Sequence, residues 1–501
     1  MARLAPMTTA PAEGHMAAVP RAIVVDKPAR RLAEQALSRA AGGPLIGGNA
    51  VELLIDARVN FDAWLGALRR ARQRILLENY IIRDDEIGRE FRAVLVERAE
   101  AGVRVHVLAD WLGCLGQSRL DFWQPLLDAG GSVRRYNPLQ WRSPFGWINR
   151  DHRKLLLIDR EIGFVGGLCI SARWLGDAAK NVPPWRDTAV SVRGPALLDI
   201  EQAFADVWAQ LGNPLAAFAG AEPASAGDVD MRIVATQPDT AGMFRLDQMV
   251  AALAQRTLWL ADAYFVGLSP YVQALGAAAR DGVDVRLLVP GATDLPVVRA
   301  MSRAGYRPLL EKGVRVFEWN GSMMHAKTAV ADGRWARVGS SNLNVASWLG
   351  NCEIDVAVED KAFAQCMEEQ YLRDLESATE VVLASRRIRC DRRVARPPHS
   401  GGSSSRATAS ALRLAHSVGA AFTNTQALPA EEEAGLPWIA VIICAIGVVA
   451  FAWPRLLAWP FALLSAWIGV AMFARYVRTR SKRASKPPVP PSEAAKVSNL
   501  H

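Results

Sequence analysis

One stretch occurs twice in this chain, and it constrains the fold more than any other feature. The first copy begins at His152 and reads HRKLLLIDREIGFVGG; the second begins at His325 and reads HAKTAVADGRWARVGS. Both have the form His-x-Lys-x4-Asp followed by a glycine at the same step. His152, Lys154, Asp159 and Gly166 thus recur as His325, Lys327, Asp332 and Gly339. One such motif is a weak signal, whereas two in register, with the same apolar run between lysine and aspartate, are a strong one. The repetition extends further. Asp187 opens DTAVSV and Glu353 opens EIDVAV, each an acid before alternating apolar residues. Upstream, GVRVHVLAD (102–110) matches GVDVRLLVP (282–290), and Glu78-Asn79-Tyr80 sits roughly where Asp262-Ala263-Tyr264 does.

The short runs LLLI (155–158) and TAVA (328–331) read as buried strands. Side chains alternate faces along a strand, so each histidine points the same way as the lysine two residues on. An imidazole and an ammonium sharing a pocket suit a phosphodiester, since lysine is a point charge for phosphate oxygens and histidine can attack phosphorus or move a proton. Asp159 and Asp332 fall at the opposite parity and are expected to brace the turn after the strand. Asp187 and Glu353 are candidates to hold one imidazole nitrogen and so fix its tautomer. Gly166-Gly167 and Gly339 are expected to let the backbone approach a phosphate closely.

Helix and strand alternate on both sides of the motifs, which points to α/β layers. The boundaries are a mobile lead-in at 1–44 with a short helix near 30–40, a first half-domain at 45–213, and an Ala/Gly/Pro-rich linker at 214–229. A second half-domain follows at 230–384, then a basic and Gly/Ser-rich linker with a short helix at 385–435. Before His152 runs a loop with Trp141, Phe145 and Trp147, fitted to line an entrance or simply to pack. An irregular insertion (170–187) contains Trp174 and Trp185.

The net charge of +9 invites a nucleic-acid reading, but its distribution argues otherwise. Residues 386–396 hold six Arg and one Asp, and 475–486 hold six Lys and Arg; without them the chain is slightly acidic. These clusters flank two nearly uncharged apolar runs, Leu436–Trp453 and Leu456–Ala474, each near the length needed to cross a bilayer. The segment 436–474 is therefore expected to be a transmembrane or re-entrant hairpin, with the basic tail 475–501 on the cytoplasmic side. A hairpin leaves the catalytic domain in the cytoplasm, whereas a single crossing places it outside. The six cysteines include no CxxC pair, and no zinc spacing is visible, which fits a reducing compartment.

The runs HRKLLLIDREIGFVGGLCIS, WRD and MHAKTAVADGRWARVGSSNLNVASWLGNCE resemble the phospholipase D superfamily, and within it the bacterial cardiolipin synthases, across roughly residues 50–385. The resemblance implies two mixed sheets flanked by helices, related by a pseudo-twofold axis, with both motifs meeting in one site. It implies a catalytic set of His152, Lys154, Asp159, His325, Lys327 and Asp332. Asp187, Glu353, Ser340 and Asn342 would orient these groups or bind substrate. The first copy departs from the pattern, with Gly167 and Cys169 where Ser340 and Asn342 stand; Cys169 reads as a buried structural thiol. One histidine becomes a phosphohistidine while the other serves as acid and base. The family pattern gives the first role to His152, and the sequence does not separate the two. No cofactor and no metal are expected. The implied partners are phospholipids, phosphatidylglycerol as acceptor with a second lipid as donor, and the bacterial inner membrane, without nucleic acid. A lipid-hydrolysing phospholipase D and, behind it, a nuclease of the same superfamily are the alternatives.

Overall fold

The computed structural model describes residues 28–139, 148–238 and 240–383, with a few helical positions between 459 and 470. After helix α1 (Pro28–Ala41) the chain runs β1 (Ile46–Ile55), α2 (Asp56–Arg70), β2 (Arg74–Asn79), α3 (Glu86–Glu100), β3 (Arg104–Asp110), α4 (Leu120–Asp128), β4 (Ser132–Tyr136), β5 (Lys154–Ile158), β6 (Ile162–Gly166), β7 (Thr188–Arg193) and α5 (Leu197–Gln210). The same succession of strands follows as β8 (Val229–Thr236), β9 (Thr257–Ala261), β10 (Asp284–Pro290), β11 (Arg315–Trp319), β12 (Thr328–Ala331), β13 (Trp335–Gly339) and β14 (Glu353–Glu359). Helices α6 (Gly242–Leu253), α7 (Ser269–Arg280), α8 (Pro296–Leu310) and α9 (Lys361–Glu376) lie among and after these strands, and β15 (Ala378–Val381) ends the described domain.

All these strands join one mixed sheet in the order β15-β11-β10-β9-β12-β13-β14-β8-β1-β7-β6-β5-β2-β3-β4. From β4 inward to β1 the steps are those from β11 inward to β8, and β1 pairs antiparallel with β8 at the centre. β2, β3 and β4 are mutually parallel, as are β9, β10 and β11, while the motif strands β5 and β12 pair antiparallel with their neighbours. The mixed α/β layering expected from the sequence is present, but the two sheets expected are joined through β1 and β8 into one. β5 is buried along its whole length because the sheet is covered on both sides. Leu155 and Leu157 pack toward α5, and Leu156 and Ile158 pack with α2 and α3 against Phe61, Trp64 and Phe91.

This arrangement brings the amino end of β5 beside the carboxyl ends of β2 and β3, with Lys154 opposite Asn79. The register also corrects the alignment of the halves. Arg74 pairs with Arg104 as Thr257 pairs with Asp284, so Asn79 corresponds to Asp262, and Glu78 to Ala261. The loop 140–147, with Trp141 and Phe145, lies outside the described residues. So do residues 1–27 and, apart from those few helical positions, the apolar runs of 436–474. Among the described residues no helix is long and apolar enough to cross a membrane.

The motif aspartates sit at the far end of β5 and β12, away from the histidines. Asp159 accepts from the backbone N–H groups of Arg72, Gln73 and Arg74 at 2.6–2.9 Å. Asp332 does the same for Gln255, Arg256 and Thr257. Each carboxylate thus closes the start of the strand next to its own. Both residues are in the left-handed region, with φ of 53° and 54°, which Asp tolerates better than Ala. Asp159→Ala is expected to lower stability by about 2–3 kcal/mol, because three donors lose their acceptor and the backbone is strained. Asp159→Asn keeps an acceptor and the φ and is expected to lose roughly half as much. Urea unfolding followed by tryptophan fluorescence measures both.

Candidate active site

His152 stands two residues before β5 and His325 three before β12, both strands fully buried, and each histidine is tied through its backbone to the opposite half of the chain. His152 N donates to Cys352 O at 2.9 Å, and Cys352 N donates to Arg150 O at 2.8 Å. In the other half His325 N donates to Arg186 O at 2.7 Å, and Arg186 N to Met323 O at 2.9 Å. Cys352 and Arg186 immediately precede Glu353 and Asp187. The acids are therefore delivered crosswise. His152 Nδ1 lies 3.0 Å from both carboxylate oxygens of Glu353, and His325 Nδ1 lies 2.7 Å from Asp187 Oδ2. A carboxylate at Nδ1 holds the proton there and leaves Nε2 as the free lone pair.

Further bonds hold the acids in place. Glu353 accepts from Ser340 Oγ at 2.6 Å and Asn351 Nδ2 at 3.2 Å. Asp187 accepts from Trp174 Nε1 at 2.8 Å and the Thr188 N–H at 2.8 Å. Its own backbone N–H donates to Asp56 Oδ1 at 3.0 Å, where α2 begins. Arg186 forms a two-pronged pair with Asp374 of α9, 2.8 Å on each arm. Lys154 and Lys327 turn back to donate to the carbonyls of His152 and His325. Both lysines are fully buried.

Burial governs the protonation states. It pushes His152 below the usual imidazole range despite the carboxylate of Glu353. Burial together with Lys327, whose Nζ is 3.1 Å from Nδ1, lowers His325 to about 4. Burial also lowers Lys154, and brings Lys327 to about 8. For Asp187 and Glu353 burial acts upward, but the facing histidine and the lysines outweigh it and hold both below the ordinary carboxylate range. The pocket thus pairs two neutral imidazoles with two carboxylates and two ammonium groups.

Aromatic rings complete the walls. Tyr80 packs edge-on against His152 at 4.8 Å between centroids. Trp174, Trp185 and Tyr264 surround His325 at 5.2, 5.6 and 5.8 Å. Lys154 and Lys327 lie over the Tyr80 and Tyr264 rings at 5.2 and 5.7 Å.

The structure therefore gathers His152, Lys154, His325, Lys327, Asp187, Glu353 and Ser340, and leaves Asp159 and Asp332 apart. Asn342 is buried near Ser340, with its N–H donating to Ser347 Oγ and its Oδ1 without a hydrogen-bond partner. Cys169 is buried, and burial raises its thiol pKa even though Lys154 lies close. The glycines correct an expectation. None of Gly166, Gly167 and Gly339 has a positive φ. A Cβ on Gly166 would meet Ala189 at 2.3 Å, on Gly167 the Asp187 carboxylate at 2.1 Å, and on Gly339 the Asp355 carboxylate at 2.1 Å. Glycine is needed there to admit the neighbouring strands with their acids. Sequence reasoning missed Tyr80, Tyr264, Trp174 and Asn351 as site residues. The tyrosines carried a signal by recurring in both halves. Trp174 lies in an irregular segment without a counterpart and carried none. Among the described residues no group of three or more His, Cys, Asp and Glu is arranged to hold a metal ion.

Residues 250–375 match the family model described as cardiolipin synthase, PLD-like domain. The chain is 32% identical over 345 residues to a cardiolipin synthase of Alkalihalophilus pseudofirmus, covering 68% of each chain. It is 33% identical over 350 residues to cardiolipin synthase A of Pseudomonas fluorescens, covering 68% of this chain and 71% of that one. The fold is similar to that of phosphatidylserine synthase from Haemophilus influenzae, with a TM-score of 0.56 at 16% identity over 70% of this chain and 92% of that one.

The crossed pairing has a spectroscopic consequence. Lys327→Met removes a cation that depresses His325, so the His325 pKa is expected to rise from about 4 toward the imidazole range. Asp187→Asn removes a carboxylate that raises it, and is expected to move it further down while leaving His152 in place. Histidine-selective NMR titration reads both shifts; a response of His152 to Asp187→Asn would contradict the pairing.

Proposed function

The chain belongs to the cardiolipin synthase family of phospholipase D-type phosphatidyltransferases, and we propose that one site, shared between two half-domains, carries its reaction. The half-domains are 45–213 and 230–384, related by a pseudo-twofold axis. The mirrored strand order about the β1–β8 junction supports this reading. The observation that carries it is the exchange of carboxylates, since neither half holds both a histidine and the acid that orients it.

His152 Nε2 attacks the phosphorus of the donor lipid. His325, neutral in the empty pocket, takes up a proton at Nε2 as the anionic phosphodiester binds beside Asp187; that proton passes to the leaving alcohol as the P–O bond breaks, giving a phosphatidyl-histidine and a neutral His325. A hydroxyl of phosphatidylglycerol then loses its proton to His325 and attacks the same phosphorus, releasing His152 with cardiolipin formed. Lys154 and Lys327 stabilise the charge that builds on the phosphoryl oxygens. Ser340 steadies Glu353, and Asn342 turns its unpartnered Oδ1 to a hydroxyl of the substrate. Asp159 and Asp332 act through strand placement alone.

The lipid substrate calls for a membrane surface. Leu115, Ile148, Leu295 and Val345 are exposed in loops at the same end of the sheet as the histidines, which supports approach to a bilayer from that end. The apolar runs of 436–474 would anchor the chain in the bacterial inner membrane, with the catalytic domain on the cytoplasmic face.

His152→Ala and His325→Ala are each expected to abolish transfer while the fold is kept, and lipid mass spectrometry after expression in a cardiolipin-deficient bacterium measures the product. Cardiolipin supports the transferase, whereas phosphatidic acid alone would show a hydrolase. Acid-quenched peptide mapping of His325→Asn with labelled lipid is expected to find the label on His152, and label on His325 would reverse the roles. Because Lys327 loses its proton at about 8, kcat/KM is expected to fall as pH rises through that value.

A further inference from the structure

The product of this reaction carries two phosphodiesters on one glycerol. The acceptor therefore brings a second phosphate, three carbons from its attacking hydroxyl, into a site whose two lysines face the reacting one. That phosphate needs its own counter-charge. Most buried arginines near the histidines are already matched to carboxylates, Arg150 to Asp110 at 3.3 Å and Arg186 to Asp374 at 2.8 Å, while Arg153 has Glu78 at 3.9 Å.

Arg83 and Arg173 are different. Among the described residues neither guanidinium has a hydrogen bond or ion pair, and Arg83 Nε is a buried donor with no partner. The two belong to adjoining loops. Ile82 bridges to Ile170, Arg83 N donates to Ile170 O at 3.0 Å, and Ser171 Oγ donates to Asp85 Oδ2 at 2.9 Å. Asp85 is the nearby carboxylate, and its oxygens are already taken by Ser171 Oγ and the N–H groups of Ala172 and Gly88. Asp84 turns to Arg89 instead, at 2.7 Å. Burial first, and then the neighbouring charge of Arg173, push Arg83 below the usual arginine range against the opposing charge of Asp85.

Both arginines lie in segments that also carry a residue packed on a histidine. Arg83 follows Tyr80, which packs on His152, by three residues, a reach of at most ~10 Å. Arg173 directly precedes Trp174, which packs on His325 and bonds Asp187. We propose that Arg83 and Arg173 form a second anion site that binds the phosphodiester of the acceptor lipid while its hydroxyl is at His325. Guanidinium suits this task because its planar fork meets two phosphate oxygens at once. The site adds no covalent step. It selects phosphatidylglycerol over water and over alcohols without phosphate, and it rests on the phosphatidyltransferase reading above.

The test uses the full chain in mixed micelles with labelled phosphatidylglycerol, comparing wild type with Arg83→Gln, Arg173→Gln and the double variant. The readout is the ratio of cardiolipin to phosphatidic acid. Both products descend from one phosphatidyl-enzyme, so the ratio does not depend on the fraction folded. Each single variant is expected to lower it about tenfold, the loss of one charge-assisted bond, and Arg83→Lys to retain more than Arg83→Gln. Added glycerol, an acceptor without phosphate, is expected to compete with water equally well in all variants. A wild-type ratio in the double variant would overturn the proposal, and so would a parallel loss of transfer to glycerol. If Arg83→Gln does not fold, Arg173→Gln, a change to an exposed side chain, decides alone. A wild-type enzyme that makes no cardiolipin would sink the transferase reading itself, and this site with it.

Discussion

Two imidazoles held by carboxylates from the opposite half of the chain are the interaction on which the rest depends. A buried lysine or carboxylate without a partner is costly, and a pair broken by removal of one member is more costly still. Here two lysines and two acids share one pocket, and each acid is bonded to the histidine of the other half. This ties the halves together at the point of chemistry. It also explains the central seam, where β1 meets β8 and the segments before Asp187 and Glu353 pair with those around the histidines. Arg186 reinforces the seam, with its side chain on Asp374 and its carbonyl on the His325 N–H.

The repetition is close in the strands and loose around the histidines. Asp151 and Arg153 flank His152, while Met324 and Ala326 flank His325. The first pair belongs to a buried polar group with Glu78, in which burial pushes both carboxyls up. The second lies in apolar packing, and His325 is enclosed by Trp174, Trp185 and Tyr264 where His152 meets Tyr80. Two histidines with the same motif thus stand in chemically unlike surroundings. That inequality is what a reaction needs if one nitrogen is to bond phosphorus and the other to carry a proton.

The position of each motif residue follows from strand parity. His and Lys share a face and reach the pocket. The aspartate, an odd number of residues further on and past the strand end, cannot join them, and it secures three backbone donors of the adjacent strand instead. The motif therefore lines the pocket at one end of a strand and braces the backbone at the other. The glycines beyond it are set by packing, since the acid-bearing strand passes too close for a Cβ.

The α/β layering and the pairing of two equivalent motifs, with His152, Lys154, His325 and Lys327 as their leading residues, were legible in the sequence. They rest on local periods and on an internal repeat, which a linear chain displays directly. The acids Asp187 and Glu353 were also visible as matched positions. What the linear order hides is their exchange, because Glu353 lies 201 residues from His152 and Asp187 lies 138 from His325. That pairing exists only once the two halves have packed. The tyrosines over the lysines, Trp174 on Asp187 and the nearness of Arg83 to Arg173 arise instead within a half, where loops after different strands fold together. Each is a relation between side chains from separate elements. Strand period and motif spacing carry no information about such relations; packing within each half decides these, and the closing of the sheet at β1 and β8 decides the exchange of the acids.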